Sequence, residues 1–423
     1  MTAAHTARTL RATTRPLTDV EAKGLDLLSF AGDDGLLFVR EGVGIAARGE
    51  ALRIPLDHGT SDVRGVGEAL RSITAHDALH RAGSGPIAVG ALAFTPTEPG
   101  SLVVPEVIVA KSGDGTGWCT QIRPIDGPAW IDPVFVAPRL PRWSPHGFDL
   151  HSVVSHETWC DIISAAVARI RAGGLDKVVL ARAVDVVATS DLVVGDILGR
   201  LQALFPSCMV FSMEGFVGAS PELLVARKGS QVRAHPLAGT VARSGDPDTD
   251  AALAAGLLAS TKDRWEHSLV IDRIAAVLRP LCDELDVPRM PSIVPLRNVS
   301  HLGTLITGSL HAAHVADGTA LTALDFVSVL HPTPAVGGTP TTEALRVIAE
   351  LEPEDRGTYA GPVGWVDAAG NGEWALGLRS ARIQGNRARM FAGGGIVNDS
   401  DPAAELQETQ LKLQALLSAV VRP

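Results

Sequence analysis

The chain has 423 residues, of which 46% are hydrophobic and 20% are charged, and its formal net charge is −10. The apolar content excludes a mainly disordered chain, because disordered chains are too poor in apolar residues to form a core. The negative charge argues against nucleic acid as a partner, and the absence of an apolar run near the ~18 residues of a membrane helix argues against a membrane.

The cysteines and the N-terminus indicate the cellular compartment. The sequence has four scattered cysteines and no C-x-x-C pair, which argues against a zinc site and against a disulfide scaffold. The first residues lack the apolar core of a secretory signal. We therefore expect a cytoplasmic protein with reduced thiols at Cys119, Cys160, Cys208 and Cys282.

Residues 1–150 are rich in glycine, proline and short apolar runs such as 86–94 and 101–110. Apolar runs bounded by turn residues predict β-strands. The segment 133–143 carries three prolines and is predicted to be a connector. We expect residues 1–150 to be an N-terminal β-rich part of the same fold, and residues 151–420 to carry the chemistry.

The second part of the chain alternates strand and helix patterns. Ser155 precedes apolar residues at helical spacing, which predicts a helix that ends at Gly173, and the run 177–187 predicts a strand. Neighbouring pairs of strands with helices in batches favour an α+β fold with antiparallel sheets and helices outside. Further strands are expected at 208–213, 216–219, 222–227, 299–308 and in a hairpin of 364–367 with 374–383, and helices at 248–259, 263–285, 319–330, 341–351 and 402–420.

Two helix starts carry acidic pairs. Glu405, Glu408 and Lys412 share one face of the last helix, and Asp263 and Glu266 share a face of another. Each set is either a solvated helix face, favourable near a helix N-terminus, or part of a pocket. Together the two pairs could hold one Mg²⁺, which prefers oxygen ligands.

Other candidates lie on predicted strands and turns. Lys177 either reaches solvent at its strand end or is desolvated and available as a base. Glu222 is either a strand-edge carboxylate or a buried acid held protonated. Arg379 needs an anion partner if it is buried, and His301 fits a satisfied sheet histidine. The glycine run 393–395 is either a plain turn or an anion site of bare N–H groups.

Several segments in order along the chain resemble motifs of the chorismate-utilising enzymes, which comprise isochorismate, salicylate, anthranilate and aminodeoxychorismate synthases. The resemblance covers about residues 155–418, and residues 1–150 match only loosely. It implies two large antiparallel β-sheets packed together with helices on the outside. The matching segments are 216–224, 236–240, 262–267, 331–335, 372–374 and 391–397.

The resemblance also implies roles. Lys177 is similar to the general base that activates water for attack at C2 of chorismate, and Glu222 to the acid that protonates the departing C4 hydroxyl. Of the residues similar to Mg²⁺-binding carboxylates, Glu266 and Glu408 would bind directly, and Asp263 and Glu405 through water. Substrate-binding positions implied in the same way are Gly239, Thr240, His301, Ala335, Tyr359, Arg379, Gly393, Gly395 and Lys412.

Within the family, isochorismate synthase matches best. Ammonia-using members carry Gln where this chain has Lys177, and aminodeoxychorismate synthases carry a nucleophilic lysine where it has Ala238. We therefore expect no glutamine amidotransferase partner, and we expect a monomer. The alternative is a salicylate synthase, which typically has Thr in place of Ala335. Tyr359 and Leu378 resemble residues of salicylate synthases, and Tyr359 also occurs in some isochorismate synthases. A non-catalytic chorismate-binding relative would have lost part of the acid, base or metal set, and this chain keeps all of it.

Overall fold

We describe a computed structural model of the chain, which covers residues 9–128, 130–131, 145, 147–315 and 320–421. The predicted connector at 133–143 lies outside these residues. The strands in chain order are β1 Leu10–Pro16, β2 Leu36–Arg40, β3 Val43–Arg48, β4 Leu52–Leu56, β5 Thr74–Asp77, β6 Ile87–Ala91, β7 Gly100–Val104, β8 Val107–Lys111, β9 Gly117–Pro124, β10 Phe148–Ser152, β11 Lys177–Ala188, β12 Met209–Met213, β13 Phe216–Ser220, β14 Leu223–Lys228, β15 Gln231–His235, β16 Leu237–Ala242, β17 Cys282–Asp286, β18 Ser292–Pro295, β19 Val299–Gly303, β20 Ile306–Leu310, β21 Gly338–Thr339, β22 Pro362–Asp367, β23 Gly372–Leu376, β24 Ser380–Gln384 and β25 Arg387–Ile396.

The helices begin and end at sequence-encoded signals. The Ser155 side chain accepts a hydrogen bond from the Thr158 N–H at the start of the fourth helix, and Gly173 ends that helix with a φ of 93°. No helix in the described residues is long and apolar enough to cross a membrane. The helices are α1 Asp19–Gly24, α2 Leu27–Ala31, α3 Arg64–Arg71, α4 His156–Ala172, α5 Val194–Leu204, α6 Pro247–Ala259, α7 Thr261–Leu278, α8 Ala323–Leu330, α9 Thr341–Leu351 and α10 Pro402–Val421.

The strands form two large sheets and one small one. The larger sheet has the order β10-β11-β25-β24-β13-β12-β2-β3-β8-β9-β1-β5, with β21 added beside β11. The second has the order β17-β20-β15-β14-β23-β22-β6-β7-β4, and the third β16-β19-β18. Neighbouring strands in the described residues pair antiparallel, apart from β1 with β5. This arrangement is the predicted α+β fold.

Apolar residues on both faces of the larger sheet hold the layers together. Successive strand residues point to opposite faces, so Phe38 belongs to the core cluster that also contains residues of the second sheet such as Trp374. Its neighbour Leu37 belongs to the cluster on the other face, together with helix residues such as Ile197 of α5 and Leu413 of α10. Strands from before residue 150 continue both large sheets, through the pairs β12 with β2 and β22 with β6.

Four predicted elements are wrong in extent. The helix predicted at 319–330 begins at Ala323, because Thr322 is its N-cap. The helix predicted at 263–285 ends at Leu278, because Pro280 lacks the N–H that a helix interior needs, and β17 follows. The strand predicted at 299–308 is two strands in different sheets, β19 and β20. The strand predicted at 374–383 is likewise divided into β23 and β24, and Arg379 lies at the point where the chain crosses between the two large sheets.

Candidate active site

A single cavity is lined by all the residues that the sequence singled out for chemistry. They come from the start of β11, the end of β25, the first turns of α7 and α10, the strands β16 and β19, and the loops around residues 221, 335, 359 and 379. The predicted residues that line this cavity are Lys177, Glu222, Gly239, Thr240, Asp263, Glu266, His301, Ala335, Tyr359, Arg379, Gly393, Gly395, Glu405, Glu408 and Lys412.

Lys177 is buried rather than turned to solvent. Its side chain is 1% exposed, and its Nζ lies 2.7 Å from Glu266 Oε1. The neighbouring strand makes this possible, because a Cβ at Gly395 would lie 2.5 Å from Glu266 Oε1 and 2.9 Å from Lys177 Cε. Burial alone would raise the pKa of the Glu266 carboxyl, but attraction and a hydrogen bond from Lys177 outweigh burial and lower it.

Glu222 is a carboxyl group in an apolar setting. It follows Pro221 at the start of β14 and is 4% exposed. Burial raises its pKa to about 8, although the Leu237 backbone hydrogen bond and the charges of Lys177 and Lys412 act in the opposite direction. A carboxyl with this pKa is mostly protonated at neutral pH and can donate a proton.

The start of α10 presents its acidic face to the cavity. Glu408 Oε1 lies 2.5 Å from Lys412 Nζ, and the same ammonium donates a hydrogen bond of 2.8 Å to the carbonyl oxygen of Gly393. Glu405 is 8% exposed. Burial and then repulsion from Glu408 raise its pKa to about 7.

The carboxylates of the cavity are a suitable donor set for a hard cation. Glu405 Oε2 is buried and has no hydrogen-bond partner, so a cation beside it would stabilise its ionised form. Among the described residues, no group of three or more His, Cys, Asp or Glu side chains is arranged to hold a metal alone. Mg²⁺ fits such a set, because it commonly takes one or two carboxylates and completes its shell with waters and substrate oxygens.

Arg379 and His301 form a polar corner of the cavity. Arg379 has a φ of 49°, a left-handed backbone conformation that costs a non-glycine residue roughly 1–2 kcal/mol. Its guanidinium lies 3.5 Å from His301 Nε2. His301 Nδ1 lies 3.2 Å from the Gly239 carbonyl oxygen, which can only accept, so Nδ1 carries the proton. Burial and then the charges of Arg379 and Lys412 lower the pKa of His301 to about 3. The imidazole is therefore neutral.

An apolar wall and one buried ion pair complete the cavity. The ring of Tyr359 stacks on Phe391 with centroids 5.2 Å apart, and burial raises the pKa of its phenol. Arg356, which the sequence analysis did not single out, is 2% exposed and pairs with Glu352 at 2.5 Å. It also donates 2.6 Å to the carbonyl oxygen of Val179 on β11. The sequence feature that could have identified Arg356 is its position four residues after the acidic Glu352.

The comparison with protein families identifies the class. The model of the chorismate binding enzyme family matches residues 139–421, more than half of the chain. This chain belongs to that family.

Curated relatives carry a more specific name. The isochorismate synthase DhbC of Bacillus subtilis is 36% identical over 367 residues, which cover 84% of this chain and 84% of that protein. The isochorismate synthase EntC of Escherichia coli K12 is 36% identical over 339 residues, which cover 79% of this chain and 81% of that protein.

Solved structures have the same fold. The menaquinone-specific isochorismate synthase MenF from Escherichia coli matches with a TM-score of 0.81 and 27% identity, over 98% of this chain and 95% of that one. Anthranilate synthase component I from Streptococcus pneumoniae matches with a TM-score of 0.69 at 23% identity, over 89% of this chain and 92% of that one. The latter shares the fold.

Proposed function

We propose that this chain is an isochorismate synthase, which converts chorismate into isochorismate by adding water at C2 and releasing the C4 hydroxyl. The observation that carries the proposal is that Lys177 and Glu222 are both buried in one cavity. The reaction needs one group to accept a proton from water and another to give a proton to the leaving hydroxyl, each typically worth ~10²–10⁴ in rate.

Glu222 is the proposed acid. A hydroxyl is a poor leaving group unless it is protonated as the carbon–oxygen bond breaks, and the raised pKa of Glu222 keeps its proton available. The apolar surroundings of this carboxyl also favour the protonated form before the reaction begins. Activity should therefore decline as the pH rises through about 8.

Lys177 is the proposed base. Only a neutral amine accepts a proton, whereas an amine in an ion pair with a carboxylate carries one. The contact of 2.7 Å between Lys177 and Glu266 must therefore loosen before Lys177 acts on water.

The substrate is a dianion, and the cavity offers cations to receive it. We assign Arg379 and Lys412 to the substrate carboxylates, together with the backbone N–H groups around Gly393 and Gly395. The Arg379 guanidinium contacts a neutral imidazole, so it keeps its charge for a ligand. Charge-assisted hydrogen bonds of this kind are about twice as strong as neutral ones. His301 and Thr240 complete the pocket, with Thr240 Oγ1 3.1 Å from His301 Nδ1.

We assign Mg²⁺ to the acidic side of the same cavity. Glu266 and Glu408 would bind it directly, and Asp263 and Glu405 would do so through water. The buried and unpartnered oxygen of Glu405 supports this assignment. When bound, the metal would offset the negative charge of the substrate carboxylate beside the carboxylates of the protein.

The product is proposed to be isochorismate rather than salicylate. Ala335 lines the cavity wall where salicylate synthases typically have Thr, and DhbC and EntC, each of which matches over most of this chain, are named isochorismate synthases. A lysine at 177 favours water over ammonia, so no amidotransferase partner is proposed. We propose that the protein works in the cytoplasm, which its four free cysteines support. We also propose that it works as a monomer.

The test compares two lysine variants. Lys177→Ala should lose at least 100-fold in turnover of chorismate while chorismate binding, followed by calorimetry with Mg²⁺ present, stays measurable. The matched control is Lys228→Ala, which removes an exposed lysine at the end of β14 and should turn over chorismate like the unaltered protein. Activity close to the unaltered level in Lys177→Ala would remove Lys177 as the base.

A further inference from the structure

The two carboxylate oxygens of Glu405 have different surroundings. Oε1 accepts a hydrogen bond of 2.8 Å from the hydroxyl of Ser400. Oε2 is buried and has no hydrogen-bond partner. The side chain as a whole is 8% exposed and lines the cavity. Ser400 therefore fixes one oxygen of the carboxylate, and the other oxygen has no protein partner.

Ser400 is held so that its hydroxyl proton has one direction. Its Oγ accepts a hydrogen bond of 3.1 Å from the Val397 N–H, and its own N–H donates 3.2 Å to the Val397 carbonyl oxygen. A serine hydroxyl has one proton, and here that proton goes to Glu405. Because Ser400 is 6% exposed, water does not compete freely for it. The turn between β25 and α10 thus fixes the direction of the Glu405 carboxylate.

The opposite side of the carboxylate is bounded by bare backbone. A Cβ at Gly394 would lie 2.8 Å from Glu405 Oε2, closer than such atoms approach one another. The glycine therefore leaves the space that Oε2 occupies, while Ser400 holds Oε1. One feature of β25 and one of the turn that follows it therefore select the same orientation of the Glu405 side chain.

We propose that Ser400 is a positioning residue, which holds Glu405 with Oε2 directed at the Mg²⁺ site. This inference rests on the proposed function, because it assigns Ser400 a task only if Glu405 faces the metal. Groups that orient direct metal ligands are typically worth 10–100-fold in metal affinity, and because Glu405 is assigned to the metal through water, we expect the lower end of that range for Ser400. A purely structural serine in this turn would instead change stability and leave metal affinity unaltered.

The experiment measures metal binding without substrate, with Mn²⁺ as the probe, because bound Mn²⁺ loses its free-ion EPR signal. Ser400→Ala should weaken Mn²⁺ binding about tenfold, and Ser400→Thr, which keeps the hydroxyl, should stay within about twofold of the unaltered protein. Gly394→Ala, which crowds Oε2 from the other side, should also weaken binding. The matched control is Ser418→Ala on α10, the helix that carries Glu405. The Ser418 hydroxyl donates a hydrogen bond to the Gln414 carbonyl oxygen, and this variant should bind Mn²⁺ normally.

A double-mutant cycle separates positioning from a general effect on the fold. In a Glu405→Gln background, Ser400→Ala should cause little further loss of Mn²⁺ affinity, because the group that it positions is already altered. Equal Mn²⁺ affinity in Ser400→Ala and the unaltered protein would overturn the inference, as would additive losses in the cycle. In both cases the proposed function would stand if the unaltered protein still makes isochorismate. An unaltered protein that neither binds Mn²⁺ nor makes isochorismate would overturn both.

Discussion

Replacing Glu222 by Gln should stabilise the folded protein and should remove the proposed general acid. In the folded state the pKa of Glu222 is about 8, against an ordinary value of 4.5. A carboxyl whose pKa is raised by folding binds its proton more tightly in the folded state, so it lowers stability as the pH rises from 4.5 to 8. Because Gln has the same shape as Glu and carries no charge, the variant lacks this dependence of stability on pH.

The size of the effect follows from that pKa. The gain in the free energy of unfolding for Glu222→Gln should grow from about 1 kcal/mol at pH 5 to about 4 kcal/mol at pH 8. With an unfolding entropy of about 2.1 cal/mol/K per residue, this range corresponds to roughly 1 °C at pH 5 and 5 °C at pH 8 in melting temperature. Scanning calorimetry of both proteins at the two pH values measures it.

A matched variant tests whether burial is the cause. Glu68→Gln alters an exposed glutamate on α3, and its melting temperature should follow that of the unaltered protein at both pH values. A gap between Glu222→Gln and the unaltered protein that stays constant with pH, or that shrinks as the pH rises, would refute the reasoning. Turnover by Glu222→Gln should also fall by ~10²–10⁴.

Three further substitutions test other parts of the cavity. Gly395→Ala places a methyl group 2.5 Å from Glu266 Oε1 and should lower turnover about 100-fold. The control Gly199→Ala meets no atom within 4 Å and should retain turnover. Equal turnover in both variants would contradict the crowding argument. Ala335→Thr should add salicylate to the products separated by chromatography, and isochorismate alone would reject a role for this position in product choice. Arg356→Met leaves Glu352 without its partner in a buried ion pair. It should lower the free energy of unfolding, measured by chemical denaturation, by about 3–5 kcal/mol. A loss below about 1 kcal/mol would show that the pair contributes little.

Local signals predicted the elements that are bounded by clear start and stop residues. The helix predicted at 341–351 is confirmed, as is the helix predicted from residue 402. The error at 263–285 came from apolar spacing that continues past Pro280, where the missing N–H ends the helix. The division of 299–308 between two sheets was out of reach, because strand propensity carries no information on which sheet a residue joins.

The residues of the candidate site were predicted mainly from motifs. The contacts between these residues were not predicted. Short-range spacing placed Glu405 and Glu408 on one helix face, but only the fold could show whether that face meets solvent or a cavity. The ion pair of Lys177 with Glu266 joins residues on different elements, and the left-handed backbone of Arg379 depends on where the chain crosses between sheets. Both features arise from tertiary packing, which sequence periodicity does not encode.

The central claim is that this cavity isomerises chorismate with the help of Mg²⁺. The most direct measurement incubates the purified protein with chorismate, with and without Mg²⁺, and separates the products by chromatography. The account predicts isochorismate in equilibrium with chorismate, formed only when Mg²⁺ is present. Salicylate with pyruvate would instead indicate the alternative activity, and no conversion in either condition would contradict the proposed function.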